Sequence, residues 1–578
     1  MGSTISLRSR YLAVARGDIP ADLVVRNCKL VNVLSGEIYP TTMAVCDDIV
    51  VGFGDYDGHT VLDGQGRYLC PGLIDGHIHI ESTLLSPHAL AMAVARRGTC
   101  AVVCDPHEIA NVMGRKGMEF ILNNSANLPM TVYVMVPSCV PATDLETSGA
   151  RLDAHDVADL IAEQGERVLG LAEVMNFPGV IHGDPEILAK IDAASGKIID
   201  GHAPGVTGKA LQAYVLAGPT SDHECVDPEE AVEKLRSGMH IFIRQGSAEH
   251  NLKALLPMIT PENTRHLSFV CDDLTPSDLQ EFGHIDHLIR LAISQGLNPL
   301  WAIQMATINT AQYFGLRRRG ALAPGYRADF FLVDDLNTFR PTHIHLSGQP
   351  LESIVSLLCK PSEFSSLPRA SWPQPQKNDL EIPMRSGKLR VIALDPGQIV
   401  TREVHMQPQS DGTHAVAAPD HDVAKLAVIE RHRNTGNIGL GFVQGLGLAS
   451  GAIAGTVAHD SHNLIVAGVD DTDMLIAVDA LGKTGGGLVV VSEGQVLSLV
   501  DLPIAGLMSR DCLDDVVLKY RSLIESYYTL CHAAEPQAMR PFMQLSFLAL
   551  PVIPALKLTD KGLVDVTAFR FVSLWLDD

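Results

Sequence analysis

The stretch Tyr68-Leu69-Cys70-Pro71-Gly72-Leu73-Ile74-Asp75-Gly76-His77-Ile78-His79-Ile80-Glu81 decides how the chain is read. Its apolar part, residues 69–74, reads as a buried strand, broken by Pro71 and closed by Gly76. His77 and His79 stand two apart at the strand end and so point the same way, and two imidazoles on one face can grip one metal ion. A sheet mouth is where α/β enzymes keep their chemistry. The same spacing also occurs among ordinary surface and core histidines, so the later strand ends have to decide.

Residues 71–316 alternate short apolar runs with helical patterns, the mark of repeated βα units. Eight strand candidates stand at 68–74, 101–104, 131–136, 168–171, 198–199, weakly at 219–221, then at 241–243 and 267–270. Eight parallel strands with helices between them make a closed barrel, and an open doubly wound sheet is the competing arrangement. On either side, residues 22–33 and 43–53, and then 320–333 after a helical stretch at 299–314, carry β-type patterns. They read as one discontinuous β-sandwich with the barrel inserted. The expected fold is α/β: a (β/α)8 TIM-like barrel, a discontinuous β-sandwich and an additional C-terminal α+β domain. The expected boundaries are 1–70 and 317–361 for the sandwich, 71–316 for the barrel, 362–381 for a Pro- and Ser-rich linker and 382–578 for the last domain. Within that domain, strands are expected at 388–394 and 488–491 and a helix at 514–528. The glycine-dense run 434–442 has no following P-loop Lys-Ser/Thr, so tight turns and close packing explain it better than a phosphate cradle.

With 578 residues the chain exceeds what one core organises, and 46% hydrophobic residues with 49 Gly and 33 Pro describe a globular protein. A formal charge of −23 repels nucleic acid and anionic membranes, which favours a small neutral or weakly charged partner. The 11 cysteines lack C-x-x-C spacing and are odd in number, which argues against a disulfide framework and for a reducing cytoplasm. The first 21 residues have no apolar core of signal-peptide type, and no later run reads as a membrane span.

An ionisable or metal-binding residue closes nearly every strand candidate. Strand one ends in His77 and His79, strand two in Asp105, His107 and Glu108, and strand four in Glu173. Strand five ends in His202, strand six in His223 with Glu224, strand seven in Arg244, and strand eight in Asp272 with Asp273. Four histidines and two carboxylates suit a pair of divalent metals, because imidazoles supply affinity while carboxylates neutralise charge and bridge. One metal would take His77, His79 and Asp272, the other His202 and His223, with Glu173 between them. Taken singly, His202 and His223 also read as core or loop histidines and Glu173 as a helix cap. Asp272 is the candidate general base that becomes the general acid.

The run at 71–82, the ligand order and the split sandwich resemble the amidohydrolase superfamily. Within it, Asp105-Pro106-His107-Glu108-Ile109-Ala110-Asn111, Gly201-His202-Ala203-Pro204-Gly205, Ser221-Asp222-His223-Glu224 and Ala458-His459-Asp460-Ser461-His462-Asn463 resemble bacterial adenine deaminases, over nearly the whole chain. The resemblance implies hydrolytic deamination of adenine to hypoxanthine and ammonia, with attack at C6, manganese or iron (Mn2+ or Fe2+) as two divalent metal ions, and Glu173 rather than a carbamylated lysine as the bridge. It makes Glu108 and Glu224 candidates for proton shuttling or for holding ring nitrogens. A homo-oligomer is expected.

Two departures stand out. The family usually has Arg-Glu-Gly-Ser after strand seven, where this chain has Arg244-Gln245-Gly246-Ser247, and the Asp272-Asp273 pair is followed by Leu274-Thr275 in place of a basic residue and His or Lys. Both remove charge near the mouth, leave the ligands intact and bear on substrate preference or efficiency more than on the reaction class. Another aminated heterocycle or a cyclic amide is the alternative substrate, and a catalytically silent binding protein the alternative class. His459, Asp460 and His462 read either as a cover for the barrel mouth or as a structural polar cluster.

Overall fold

The computed structural model describes residues 7–358, 372–395, 400–532 and 540–576. Strands on both sides of the inserted stretch share one eight-stranded sheet. Its main path runs through Gln349–Pro350, Thr342–Leu346, Phe330–Val333, Tyr68–Pro71, Ala21–Asn32, Glu37–Cys46 and Ile49–Phe53, with Gly58–Asp63 paired beside Ala21–Asn32. The join is antiparallel, with Leu69 opposite Leu332. An Ile49–Arg327 bridge curls the sheet back on itself around Leu23, Val25, Leu30, Met43 and Phe330. The expected sandwich is therefore one curled sheet.

The expected strand 68–74 is in fact two strands. Tyr68–Pro71 belongs to the curled sheet, and Leu73–Ile78 opens the parallel one. At the crossing, Gly72 donates its N–H to the Asp329 carbonyl at 2.9 Å and Leu73 donates to the Gly98 carbonyl at 2.9 Å. A Cβ on Gly72 would sit 2.7 Å from the Cys100 sulfur, so the chain passes only because that residue has no side chain. His77 consequently lies within the first barrel strand and not beyond its end.

The inserted stretch forms a barrel-like α/β domain. Five parallel strands lie in the order Ile198–Gly201, Val168–Val174, Thr131–Val136, Thr99–Cys104 and Leu73–Ile78, and three more in the order Ser221–Asp222, His240–Arg244 and Leu267–Val270. Thr99–Cys104 is buried at every position, as parallel strands covered on both faces require. The two sheets approach at both edges: Ile78 bridges Asp272, and Thr220 N–H donates to the Ile199 carbonyl at 2.9 Å. The helical stretch 299–314 is interrupted, giving helices Pro299–Met305 and Ile308–Tyr313. The break has a use, since its Ala306 carbonyl accepts the Ile74 N–H at 2.8 Å and holds the first barrel strand in place.

The C-terminal part centres on a nine-stranded mixed sheet that includes Lys388–Leu394 and Gly487–Ser492, with helices Asp471–Thr484, Leu513–Thr529 and Pro541–Phe547 around it. Of the expected linker, residues 362–371 lie outside the described residues; beyond them Trp372 already donates its indole N–H to the Val478 carbonyl at 3.0 Å. No helix among the described residues is long and apolar enough to cross a membrane.

The glycine run contributes the strand Ile438–Gln444, where a Cβ on Gly439 would lie 1.9 Å from the Thr559 carbonyl oxygen. Gly436 needs glycine only for its φ of +79°, with open space around it among the described residues. We expect Gly439→Ala to cost about 2–4 kcal/mol by displacing backbone, and Gly436→Ala about 1 kcal/mol. Equal losses in urea unfolding of the two variants would refute the packing explanation.

Candidate metal centre

The first and last barrel strands are tied together where the chemistry lies. Asp272 donates its N–H to the His77 carbonyl at 2.9 Å, and its own carbonyl accepts from His79 N–H at 3.4 Å. The Asp272 backbone sits at φ +59°, a left-handed conformation uncommon for a residue with a side chain. The result sets the Asp272 carboxylate beside both imidazoles: Oδ1 lies 3.3 Å from His77 Nε2 and 3.0 Å from His79 Nε2.

Glu173, on the strand Val168–Val174, occupies the middle. Its Oε1 is 3.4 Å from His79 Nε2 and 3.9 Å from His77 Nε2. Its Oε2 faces the other way, 2.6 Å from His202 Nδ1 and 3.2 Å from His223 Nε2. One carboxylate thus divides its two oxygens between two histidine pairs. Glu224 adds Oε1 at 3.3 Å from His223 Nε2 and 3.6 Å from His202 Nδ1.

Supporting groups fix these directions. His79 Nδ1 lies 3.0 Å from the Asp105 carbonyl, which leaves Nε2 with its lone pair free. The Tyr214 hydroxyl accepts from His202 N–H at 3.0 Å and donates to the Val174 carbonyl at 2.8 Å. Asp222 accepts from the N–H groups of Ala203 (2.8 Å) and Glu224 (3.1 Å), and buried Lys234 neutralises it at 3.0 Å.

Arg244, at the end of the seventh strand, ties the remaining carboxylates together. Its Nη1 donates to Asp272 Oδ2 at 2.6 Å and to Glu224 Oε1 at 2.5 Å, and its Nη2 to Glu224 Oε2 at 3.0 Å. Burial pushes the Asp272 carboxyl up, but Arg244 and the two imidazoles hold it well below the usual carboxylate range. Burial likewise pushes Glu224 up, and Arg244 with His202 more than reverses it. Glu173 is held down against burial by His202 and its neighbours.

All six expected ligands come together, and the expected catalytic carboxylates Asp272 and Glu224 lie among them. Glu108 does not reach the same oxygens. Its carboxylate is engaged by His459 Nδ1 at 2.7 Å and by His462, both from the C-terminal part, and it lies 3.4 Å from His107 Nε2. Asp105 and His107, noted at their strand end but outside the expected ligand set, also join: His107 Nδ1 lies 3.1 Å from Asp105 Oδ2 and 3.5 Å from Glu173 Oε1. The visible signal for them was the Asp-Pro-His-Glu run at 105–108. Nothing in the local sequence pairs Arg244 with Glu224, because that contact spans two strands.

An amidohydrolase family model matches residues 68–363, and an adenine deaminase C-terminal domain model matches residues 398–570. An adenine deaminase of Oleidesulfovibrio alaskensis is 53% identical, covering 98% of this chain and 98% of that protein. One of Desulfatibacillum aliphaticivorans is 49% identical over 98% and 99%. The chain belongs to the adenine deaminase family of amidohydrolases. Among solved structures, a molinate hydrolase superposes with a TM-score of 0.43 at 15% identity, covering 61% of this chain and 98% of that one.

Amidohydrolases use divalent metal, and the donor set here suits it. Among the described residues His77 Nε2 is buried without an aligned hydrogen bond although a carboxylate lies 3.3 Å away, the arrangement of two donors that share a cation. The family departures stay off this cluster: the Gln245 side chain turns outward to His250 at 2.7 Å, and Leu274 is buried apolar surface.

Arg244 is the cation that balances two buried carboxylates, so Arg244→Met should destabilise the metal-free chain by about 3–5 kcal/mol in urea unfolding. A loss under about 1 kcal/mol would show that the histidines balance the site without it.

Proposed function

We propose that this protein hydrolyses adenine to hypoxanthine and ammonia, using two divalent metal ions held in one closed (β/α)8 barrel. The observation that carries the reading is Glu173, whose two oxygens face separate histidine pairs, together with full-length likeness to proteins named adenine deaminases. His77, His79 and Asp272 would hold one ion, His202 and His223 the other, and Glu173 would bridge them. The edge contacts at Asp272 and at Thr220 support the closed barrel. Mn2+ or Fe2+ suits a set of imidazoles and carboxylates.

When bound, such a pair lowers the pKa of water towards ~7, which makes hydroxide available at neutral pH. Asp272, ionised and held by Arg244, accepts the proton of the water whose oxygen adds to C6 of the purine. It then returns that proton to the exocyclic nitrogen as the C6–N bond breaks and ammonia leaves. Glu224, fixed by Arg244 and facing His202 and His223, is placed to hold a ring N–H or pass a proton. Glu108 is tied to His459 and His462, which suits a holding role better than a mobile proton shuttle.

Ammonia release should be fastest with adenine among adenine, adenosine, guanine and cytosine, and no turnover of adenine would overturn the reading in favour of another aminated heterocycle or a cyclic amide. Chelation should abolish turnover and Mn2+ restore it. Glu173→Gln should lose more than ~100-fold in kcat and bind less metal, because the bridge is gone.

A further inference from the structure

A second group of donors stands at the contact between the barrel and the C-terminal part. Glu108 Oε1 lies 2.7 Å from His459 Nδ1 and 3.4 Å from His107 Nε2. Asp460 Oδ1 lies 4.0 Å from each of those same two nitrogens. These four atoms, two nitrogens and two oxygens, form a closed ring of neighbours. Ligands bound at about 2.1 Å in a tetrahedron are roughly 3.4 Å apart, so the spacing brackets the spacing round one ion.

The surroundings prepare each donor. His107 Nδ1 faces Asp105 Oδ2 at 3.1 Å, a carboxylate–histidine pair that places the lone pair on Nε2, towards Glu108 and Asp460. His462 Nδ1 accepts the Ala458 N–H at 3.1 Å, so its proton sits on Nε2 and is donated to Glu108 Oε2, which leaves Oε1 for the ring. The His459 ring is stacked on Phe547 at 4.8 Å and 11°. Asp460, 4% exposed, turns Oδ1 towards the two nitrogens, and its other oxygen, Oδ2, is buried without a hydrogen-bond partner among the described residues. A buried carboxylate in that state costs free energy unless a cation meets the group, and Oδ1 is the oxygen placed to receive one.

We infer that His107, Glu108, His459 and Asp460 form a third divalent-cation site that joins the C-terminal domain to the barrel beside the pair proposed above. The mixed nitrogen and oxygen set suits a divalent first-row cation of the class proposed for the pair. The site is separate from the pair, since His107 reaches Glu173 with its other nitrogen, Nδ1, at 3.5 Å. The ion would be the bond that holds two parts of the chain together over the barrel mouth.

The test uses the full chain. Metal-free protein titrated with Mn2+ and freed of excess should retain three equivalents per chain by elemental analysis, and crystals of it should show an anomalous peak between His107 Nε2 and His459 Nδ1. Asp460→Asn and His459→Asn should each lose one equivalent and that peak, keep the peaks at Glu173, and lose part of the Mn2+-dependent rise in Tm. Two equivalents in the unaltered chain with no third peak would overturn the inference and leave the two-metal reading standing. Absence of the peaks at Glu173 from the unaltered chain would instead overturn that reading, while the third peak, present or absent in the same map, decides the new site by itself. Because the unaltered chain gives the decisive map, a variant that fails to fold changes nothing.

Discussion

The seam between the first and last barrel strands is the constraint on which the centre depends. Asp272 closes it with its own backbone, donating to His77 and accepting from His79 while it holds a left-handed φ of +59°. An extended residue there would continue the strand and turn the carboxylate along the sheet. The left-handed turn keeps it against the two imidazoles instead, and the strain is sustained because two strands over-determine it. The ligands at one end of the site are thus set by main-chain hydrogen bonds, which do not rotate as side chains do.

Around that seam the charges are sorted oxygen by oxygen. Asp272 gives Oδ1 to the histidines and Oδ2 to Arg244; Glu173 gives one oxygen to each histidine pair. Packing three carboxylates so closely would ordinarily raise their pKa values and neutralise some of them. Arg244, whose charge is permanent, prevents this for Asp272 and Glu224, and so leaves a base at the place where a water would be activated. A lysine could not serve equally, since the contact to Glu224 is a fork of two donors onto two oxygens.

Much of this was legible in the residues. Period-two spacing put His77 and His79 on one face, and the order of polar residues after each apolar run brought out Glu173, His202, His223 and Asp272. What escaped did so for physical reasons. The crossing at Gly72 reads as strand because the run 69–74 is apolar on both sides of it, and which sheet each half joins is decided by partners outside that run, Phe330–Val333 for Tyr68–Pro71 and Thr99–Cys104 for Leu73–Ile78. The one curled sheet reads as a sandwich from sequence because the Ile49–Arg327 bridge leaves no local pattern. The Arg244–Glu224 fork and the reach of His459 and His462 to Glu108 are contacts between segments far apart in sequence, which periodicity does not encode.

The C-terminal part changes the dielectric problem more than the chemistry. It covers the strand-two end, where Glu108 meets His459 and His462 and His107 lies 4.0 Å from Asp460. With it, His459, Asp460, Ser461 and His462 are all at most 9% exposed, and so are His107 and Glu108 beneath them. Excluding water from that side strengthens every charge contact in the neighbouring centre, because the same pair of charges interacts several-fold more strongly as the effective dielectric falls. It also makes unpaired charge there expensive, so each buried carboxylate must find a cation. Arg244 meets that requirement on one flank of Glu173; on the other flank Glu108 lies against His107 from the barrel and against His459 and His462 from the domain that covers it.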